Sequence, residues 1–184
     1  MRTHAVVFLL ISALLGLLPA LLVPAGAEQL RPRSAPPFTQ TAEHAWLNAP
    51  PQRLADLRGH VVLLDVWTFG CWNCYRSFPW LEQVEQRFAP QGLRVIGIHS
   101  PELAHERKRD AVAAKVREFG LEHPVMLDND FRYWDALGNR AWPAFYLIDK
   151  QGRLRQRFYG ETHAGEPQAE RIEAAIAALL AESG

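Results

Sequence analysis

Val61-Val62-Leu63-Leu64-Asp65-Val66-Trp67-Thr68-Phe69-Gly70-Cys71-Trp72-Asn73-Cys74 decides how the chain is to be read. Val61 to Trp67 is an almost unbroken apolar run, the pattern of a strand buried on both faces with helices above and below. A short turn follows, and the cysteines open what reads as a helix. Cys71 and Cys74 are the only 2 cysteines in the 184 residues. A helix N-terminus carries partial positive charge and unpaired N–H groups, which stabilise a thiolate placed there. The thiolate is the form that attacks disulfides, so the placement of the pair, more than its spacing, marks it as reactive.

Upstream, Met1-Arg2-Thr3-His4 is weakly basic, Ala5 to Val23 is apolar and rich in Leu, and Ala25-Gly26-Ala27 offers small residues after Pro24. Residues 1–27 therefore read as a secretory signal peptide cleaved after Ala27, which implies a periplasmic or secreted protein. The apolar stretch is near spanning length, so an uncleaved membrane anchor is the alternative. Export to an oxidising compartment favours disulfides. A structural disulfide stabilises most when it closes a long loop, and this pair closes a very short one. Reactivity explains it better than stapling.

Residues 28–41 carry Pro32, Pro36 and Pro37 with few large apolar side chains and read as a flexible leader. Residues 42–184 suffice for one domain with a substantial core. Lys plus Arg, at 20, balance Asp plus Glu, also 20. No clustered basic face points to nucleic acid. The run His105-Glu106-Arg107-Lys108-Arg109-Asp110 mixes both signs and reads as a solvated helix start.

The remaining pattern predicts a short edge strand over 43–48, a helix over 71–88 and a strand over 93–99. Phe78, Leu81, Val84 and Phe88 give that helix an apolar stripe, and Pro79 should kink it. A helix over 111–119 is closed by Gly120, and a short strand covers 125–127. Asp128-Asn129-Asp130 caps a helix that Gly138 ends. Strands over 144–148 and 153–159 form a hairpin about Lys150-Gln151-Gly152, and a helix over 170–181 closes the chain. This order describes an α/β sandwich with a mixed sheet, and right-handed crossovers place Cys71 at the carboxyl end of a central strand.

These features resemble the thioredoxin superfamily. Asp65 stands six residues before Cys71, Trp67 four before it and Pro79 five after Cys74, and Trp142-Pro143 opens the C-terminal hairpin. Within the superfamily, residues 65–76 look like the exported redoxins of the TlpA/ResA group. They are most similar to the periplasmic redoxin domain of DipZ-type proteins. Val95 to Glu102, Leu127 to Asp130 and Asn139 to Ala144 fit that subgroup too. The resemblance covers roughly residues 40–184. It implies a thioredoxin-like three-layer sandwich, a central mixed β-sheet flanked by helices. DipZ-type proteins carry the redoxin fused to membrane helices, so a separate membrane electron donor is expected here.

The expected activity is protein-disulfide reduction by a Cys71/Cys74 dithiol–disulfide couple with no further cofactor and no metal. The clients would be exported proteins with cysteine pairs, apocytochrome c among the candidates, and the protein a monomer. Cys71, more exposed and nearer the helix end, is the nucleophile, with its pKa drawn below the ~8.5 of a free cysteine. Cys74, one turn further in, resolves the mixed disulfide. The resemblance makes Asp65 the acceptor of the Cys74 proton, and desolvation would raise its pKa toward that of a useful base. It also makes Pro143 a cis-proline beside the cysteines, leaving the backbone of Trp142 to pair with an extended client.

Trp72 is expected to be exposed and to touch substrate, whereas Trp67 and Phe69 pack. Glu102 is a candidate acid near the site, and His99 reads as a strand-end residue. Two other functions compete. A peroxidase of the peroxiredoxin type would need a threonine and an arginine near its cysteine, and Thr68 and Arg76 do not stand in that pattern. A zinc module would complete Cys71 and Cys74 with His99, His105 and His123. Tyr75 excludes c-type haem attachment, which requires histidine directly after the second cysteine.

Overall fold

The structure is a computed structural model and describes residues 28–183. The signal segment read over residues 1–27 lies outside the described residues. One seven-stranded mixed sheet organises the chain. Its strands are β1 (Glu28–Ser34), β2 (Trp46–Leu47), β3 (Val61–Trp67), β4 (Leu93–His99), β5 (Val125–Leu127), β6 (Ala144–Ile148) and β7 (Arg153–Tyr159), and the spatial order is β1-β7-β6-β3-β4-β5-β2. The helices are α1 (Trp72–Phe88), α2 (Arg109–Glu118), α3 (Arg132–Leu137) and α4 (Pro167–Ala181).

The apolar run of β3 lies where its composition requires. It pairs in parallel with β4 along its whole length and antiparallel with β6 on its other edge. Every one of its residues is buried. Alternation then divides the interior into two layers. Leu63 and Trp67 point into the layer filled by Phe78, Leu81, Val84 and Phe88 of α1, by Val112 and Val116 of α2, and by Ile172 and Ile176 of α4. Val62, Leu64 and Val66 point the other way, toward Tyr133 and Leu137 of α3 and toward Phe38 and Trp46. The thioredoxin-like sandwich is therefore present, with β3 as its central strand.

Two expectations at the N-terminal side need correction. Residues 28–34, read as part of a flexible leader, form β1 and pair antiparallel with β7. The strand takes its order from backbone pairing rather than from an apolar pattern. Pro32 is tolerated because β1 is an edge strand, and the register shifts between Gln29 and Arg33. Just beyond, Ala35 and Phe38 are buried, and the Phe38 ring meets Trp46 and Tyr133 at 5.5 and 5.4 Å. The strand expected over 43–48 shrinks to Trp46–Leu47, preceded by a 3-10 turn at Glu43–Ala45. Asn48, at φ 62°, turns the chain out of it.

Asp128 ties α3 to the sheet. Its carboxylate is fully buried and accepts the backbone N–H groups of Tyr133 and Trp134 at 3.0 and 2.9 Å and the Ser100 hydroxyl at 3.0 Å. Asp128→Ala removes the acceptor of all three donors. We expect a loss of about 2–4 kcal/mol in urea unfolding, with the midpoint lowered and the slope unchanged.

Candidate active site

At the carboxyl end of β3 the chain turns through Thr68–Gly70 into α1. The Ser100 N–H donates to Trp67 O at 3.0 Å and the Cys71 N–H to Thr68 O at 3.2 Å, which fixes the turn on the end of β4. Cys71 is the N-cap residue of α1 and is joined to Cys74 by a disulfide across a Cα–Cα distance of 5.3 Å. Its sulfur accepts the Cys74 N–H at 3.2 Å. A donor aimed at that atom stabilises charge on it once the bond is reduced. Cys71 is half-buried and Cys74 fully buried, so only the first sulfur of the pair can meet a large disulfide substrate.

Opposite lies the Trp142–Pro143 bond, which is cis. Val66 of β3 pairs with Ala144 of β6, so Pro143 stands beside the end of β3 that leads to Cys71. The Trp142 indole N–H donates to Ser100 O at 3.0 Å, and its ring lies 4.3 Å from that of Trp134. The chain just after β7 joins the two sides of the mouth: Gly160 N–H donates to Pro143 O at 2.9 Å, and Thr162 N–H to Ser77 Oγ of α1 at 3.0 Å. Trp72 projects from the rim, 66% exposed, with its ring edge-on to Tyr75. The Tyr75 hydroxyl donates to Phe69 O at 2.5 Å and its ring stacks on Phe119.

Behind the turn is a buried polar cluster that the sequence reading misplaced. Glu106, read as part of a solvated helix start, is fully buried. Its Oε2 accepts the Thr68 hydroxyl at 2.6 Å and the backbone N–H groups of Glu102 and Leu103 at 2.7 and 3.0 Å. Burial would raise the Glu106 carboxyl, but the bonds from Thr68, Leu103 and Glu102 outweigh it and hold it below its ordinary value. Gly70 is required here, because a Cβ on it would overlap the Glu106 carboxylate. Glu102 itself is exposed and contributes only its amide, so the acid near the site is Glu106. The detectable signal was a glutamate three residues after Leu103, at the position that closes a turn's free N–H groups.

His99 is likewise more than a strand end. It is fully buried, stacked on Phe69 at 5.8 Å and edge-on to Trp67 at 4.9 Å. Its Nε2 accepts the Phe69 N–H at 3.4 Å and lies 3.5 Å from Thr68 Oγ1. Burial pushes it down to about 4, with Glu106 partly opposing, so the ring is neutral at pH 7.

Asp65 sits deeper on β3, on the face it shares with Leu63 and Trp67 and hence in the layer of α1 and Cys74. It is 1% exposed, and burial pushes its carboxyl up to about 7, partly offset by the charge of His123. A carboxyl poised there can take a proton from a buried thiol near neutrality. The residues invoked for other chemistry are engaged elsewhere: Thr68 binds Glu106, and Arg76 pairs with Glu161 at 2.9 Å. Among the described residues, no three His, Cys, Asp or Glu side chains are grouped to hold a metal ion.

Known proteins are similar to this chain in sequence and fold. Residues 33–176 match the family model described as Redoxin. Over 119 residues, 63% of this chain, the sequence is 43% identical to Protein DipZ of Mycobacterium tuberculosis, of which the match spans 17%. It is 29% identical over 147 residues to the thiol-disulfide oxidoreductase YkuV of Bacillus subtilis, covering 78% of this chain and 93% of that one. A thiol-disulfide isomerase from Corynebacterium glutamicum has the same fold, with a TM-score of 0.68 at 24% identity over 81% of this chain and 98% of that one. The strand, the turn and the capped cysteine pair thus lie inside a match covering most of the sequence, and the chain belongs to the Redoxin family.

Proposed function

We propose that this thiol–disulfide oxidoreductase of the redoxin type works outside the cytoplasm, where it reduces cysteine pairs in other exported proteins. The family resemblance suggests apocytochrome c as one client. One observation carries the reading: a disulfide caps α1 with Cys71 half-buried at the mouth and Cys74 sealed behind it. The leucine-rich segment from Ala5 to Val23 supports export. Among the described residues no helix is long and apolar enough to cross a membrane. The Cys71–Cys74 couple is the redox group, the protein acts as a monomer, and an external thiol donor regenerates it.

In the reduced protein the Cys71 thiolate attacks one sulfur of the client disulfide, and the other client sulfur leaves as a thiolate. Cys74 loses its proton to Asp65 and attacks Cys71, which re-forms the internal disulfide and frees the client as a dithiol. Trp72 and the backbone at Trp142 and Pro143 border the mouth and would hold an extended client segment beside Cys71.

Cys74→Ser should accumulate clients as covalent adducts on Cys71 that mass spectrometry can name, and Cys71→Ser should capture none. Equilibration with glutathione buffers should give a potential well below the roughly −120 mV of a strong oxidant such as DsbA, where 30 mV is about tenfold in equilibrium. A value in that oxidising range reverses the direction assigned here.

Asp65→Asn should slow resolution of the mixed disulfide by about tenfold or more while leaving the first attack unchanged. It should also change stability with a defined sign. The folded-state pKa of about 7 lies above the ordinary 3.8. The folded protein therefore retains a proton that the unfolded chain loses, and stability falls as pH rises between those values. Relative to wild type, Asp65→Asn should gain on the order of 4 kcal/mol between pH 4 and pH 8. Urea unfolding at both pH values measures this, and an equal difference at both would refute the assigned shift.

A further inference from the structure

Opposite Asp65 the next strand carries no side chain. Gly97 of β4 is in register with Asp65, and both belong to the face that looks toward α1. A Cβ on Gly97 would stand 3.2 Å from Trp67 Nε1 and 3.3 Å from His123 Nε2, with Val125 Cγ2 closing the apolar side at 3.0 Å. Those two nitrogens and Asp65 Oδ2 are all buried without a hydrogen-bond partner. Buried polar atoms are rarely left unpaired, and an enclosed water with two to four polar neighbours is the usual remedy. One water shared among Asp65 Oδ2, Trp67 Nε1 and His123 Nε2 would pair all three.

The other side of that ring leads outward. His123 is 4% exposed, and its Nδ1 lies 3.1 Å from Glu85 Oε2 on α1. The Glu85 side chain is 31% exposed and borders a groove with Glu82, Phe119 and Glu122. Asn48 donates to the carbonyls of Leu121 and His123 at 2.7 and 2.9 Å, which holds the segment in place. Glu85 is fourteen residues along α1 from Cys71, about 21 Å away at the helical rise. Glu85 therefore lies well along α1 from the mouth, while the groove it borders runs back to Tyr75.

We propose that His123, acting through Asp65, is the positioning residue of a proton exit that runs from Asp65 through one bridging water to His123 and out at Glu85. The inference rests on the exchange reading above. During resolution the bond between Cys71 and the client sulfur breaks, and that sulfur leaves with the electron pair as a thiolate. The Cys71–Cys74 bond forms, and the Cys74 proton passes to Asp65. His123 takes that proton at Nε2 through the water and releases one from Nδ1 to Glu85, which returns it to solvent. The titratable groups facing His123 are Asp65 from β3 and Glu85 from α1, with Glu82 and Glu122 at the groove.

Reaction of the reduced protein with the aromatic disulfide dithiobis-nitrobenzoate separates the steps, since one coloured thiolate appears on attack and a second on resolution. In both His123→Gln and Glu85→Gln the first phase should keep its wild-type rate and the second should slow by about five- to tenfold. Glu85→Gln, at a partly exposed site, keeps the test decisive should His123→Gln fail to fold. The Asp65 carboxyl, followed by infrared spectroscopy, should titrate higher in His123→Gln, because the interaction with His123 that lowers it is gone. In an Asp65→Asn background, His123→Gln should add less than about twofold.

A second phase at the wild-type rate in Glu85→Gln overturns the exit. So does an Asp65 titration unmoved in His123→Gln, or a full additional slowing in the Asp65→Asn background. If the wild-type protein releases no first thiolate, the exchange reading itself fails, which is a different result from a lost second phase.

Discussion

Everything in the fold is referenced to the burial of β3. It is hydrogen-bonded along both edges and covered on both faces, so its position cannot shift without disturbing both layers of the core. That constraint gives the cysteine turn a rigid foundation, because Thr68 to Cys71 continue directly from the fully buried central strand of the sheet. It also makes Asp65 anomalous, since a carboxyl placed mid-way along such a strand cannot reach bulk solvent. Its raised pKa follows from the same burial that makes the strand stable.

Trp67 separates two polar groups of different character. Toward the mouth stand Thr68, His99 and Glu106, where a glutamate is held ionised by three donors and a histidine is held neutral by burial. Toward the interior stand Asp65 and His123, where desolvation dominates and donors are few. The Trp67 ring meets His99 edge-on at 4.9 Å on one side and Phe78 at 5.5 Å on another, while its N–H belongs to the inner group. One side chain thus keeps an ionised acid near the mouth apart from a proton-holding acid in the core. The outer group fixes the turn that carries Cys71, and the inner one lies along the buried α1 face of β3.

What could be read from the sequence was what is encoded locally. The run Val61–Trp67, the stripe on α1 and the Gly138 end of α3 each concentrate their signal within one element and stand where expected, while the N-cap residue of α3 is Phe131, with Asp128 accepting the first-turn N–H groups from upstream. The cysteine pair was legible for the same reason, since strand, turn and helix start are contiguous. β1 was not, because its order comes from pairing with β7, more than a hundred residues away. Glu106 was hidden by its neighbours: surrounded by charge, it looked solvated, and only the folded turn aims three donors at it. His123 reads from the sequence only as a metal ligand, because nothing local indicates that its ring packs against Gly97.

The segment Gly160–Thr162 holds the Pro143 carbonyl on one side and the Ser77 hydroxyl on the other. It acts as a crossbar between the proline loop and the cysteine helix, which otherwise approach from separate parts of the chain. A jaw braced in this way has a set gauge. Under the proposed exchange function, adaptation during docking would fall to the visitor, which would favour slack, unstructured polypeptide over folded protein surfaces.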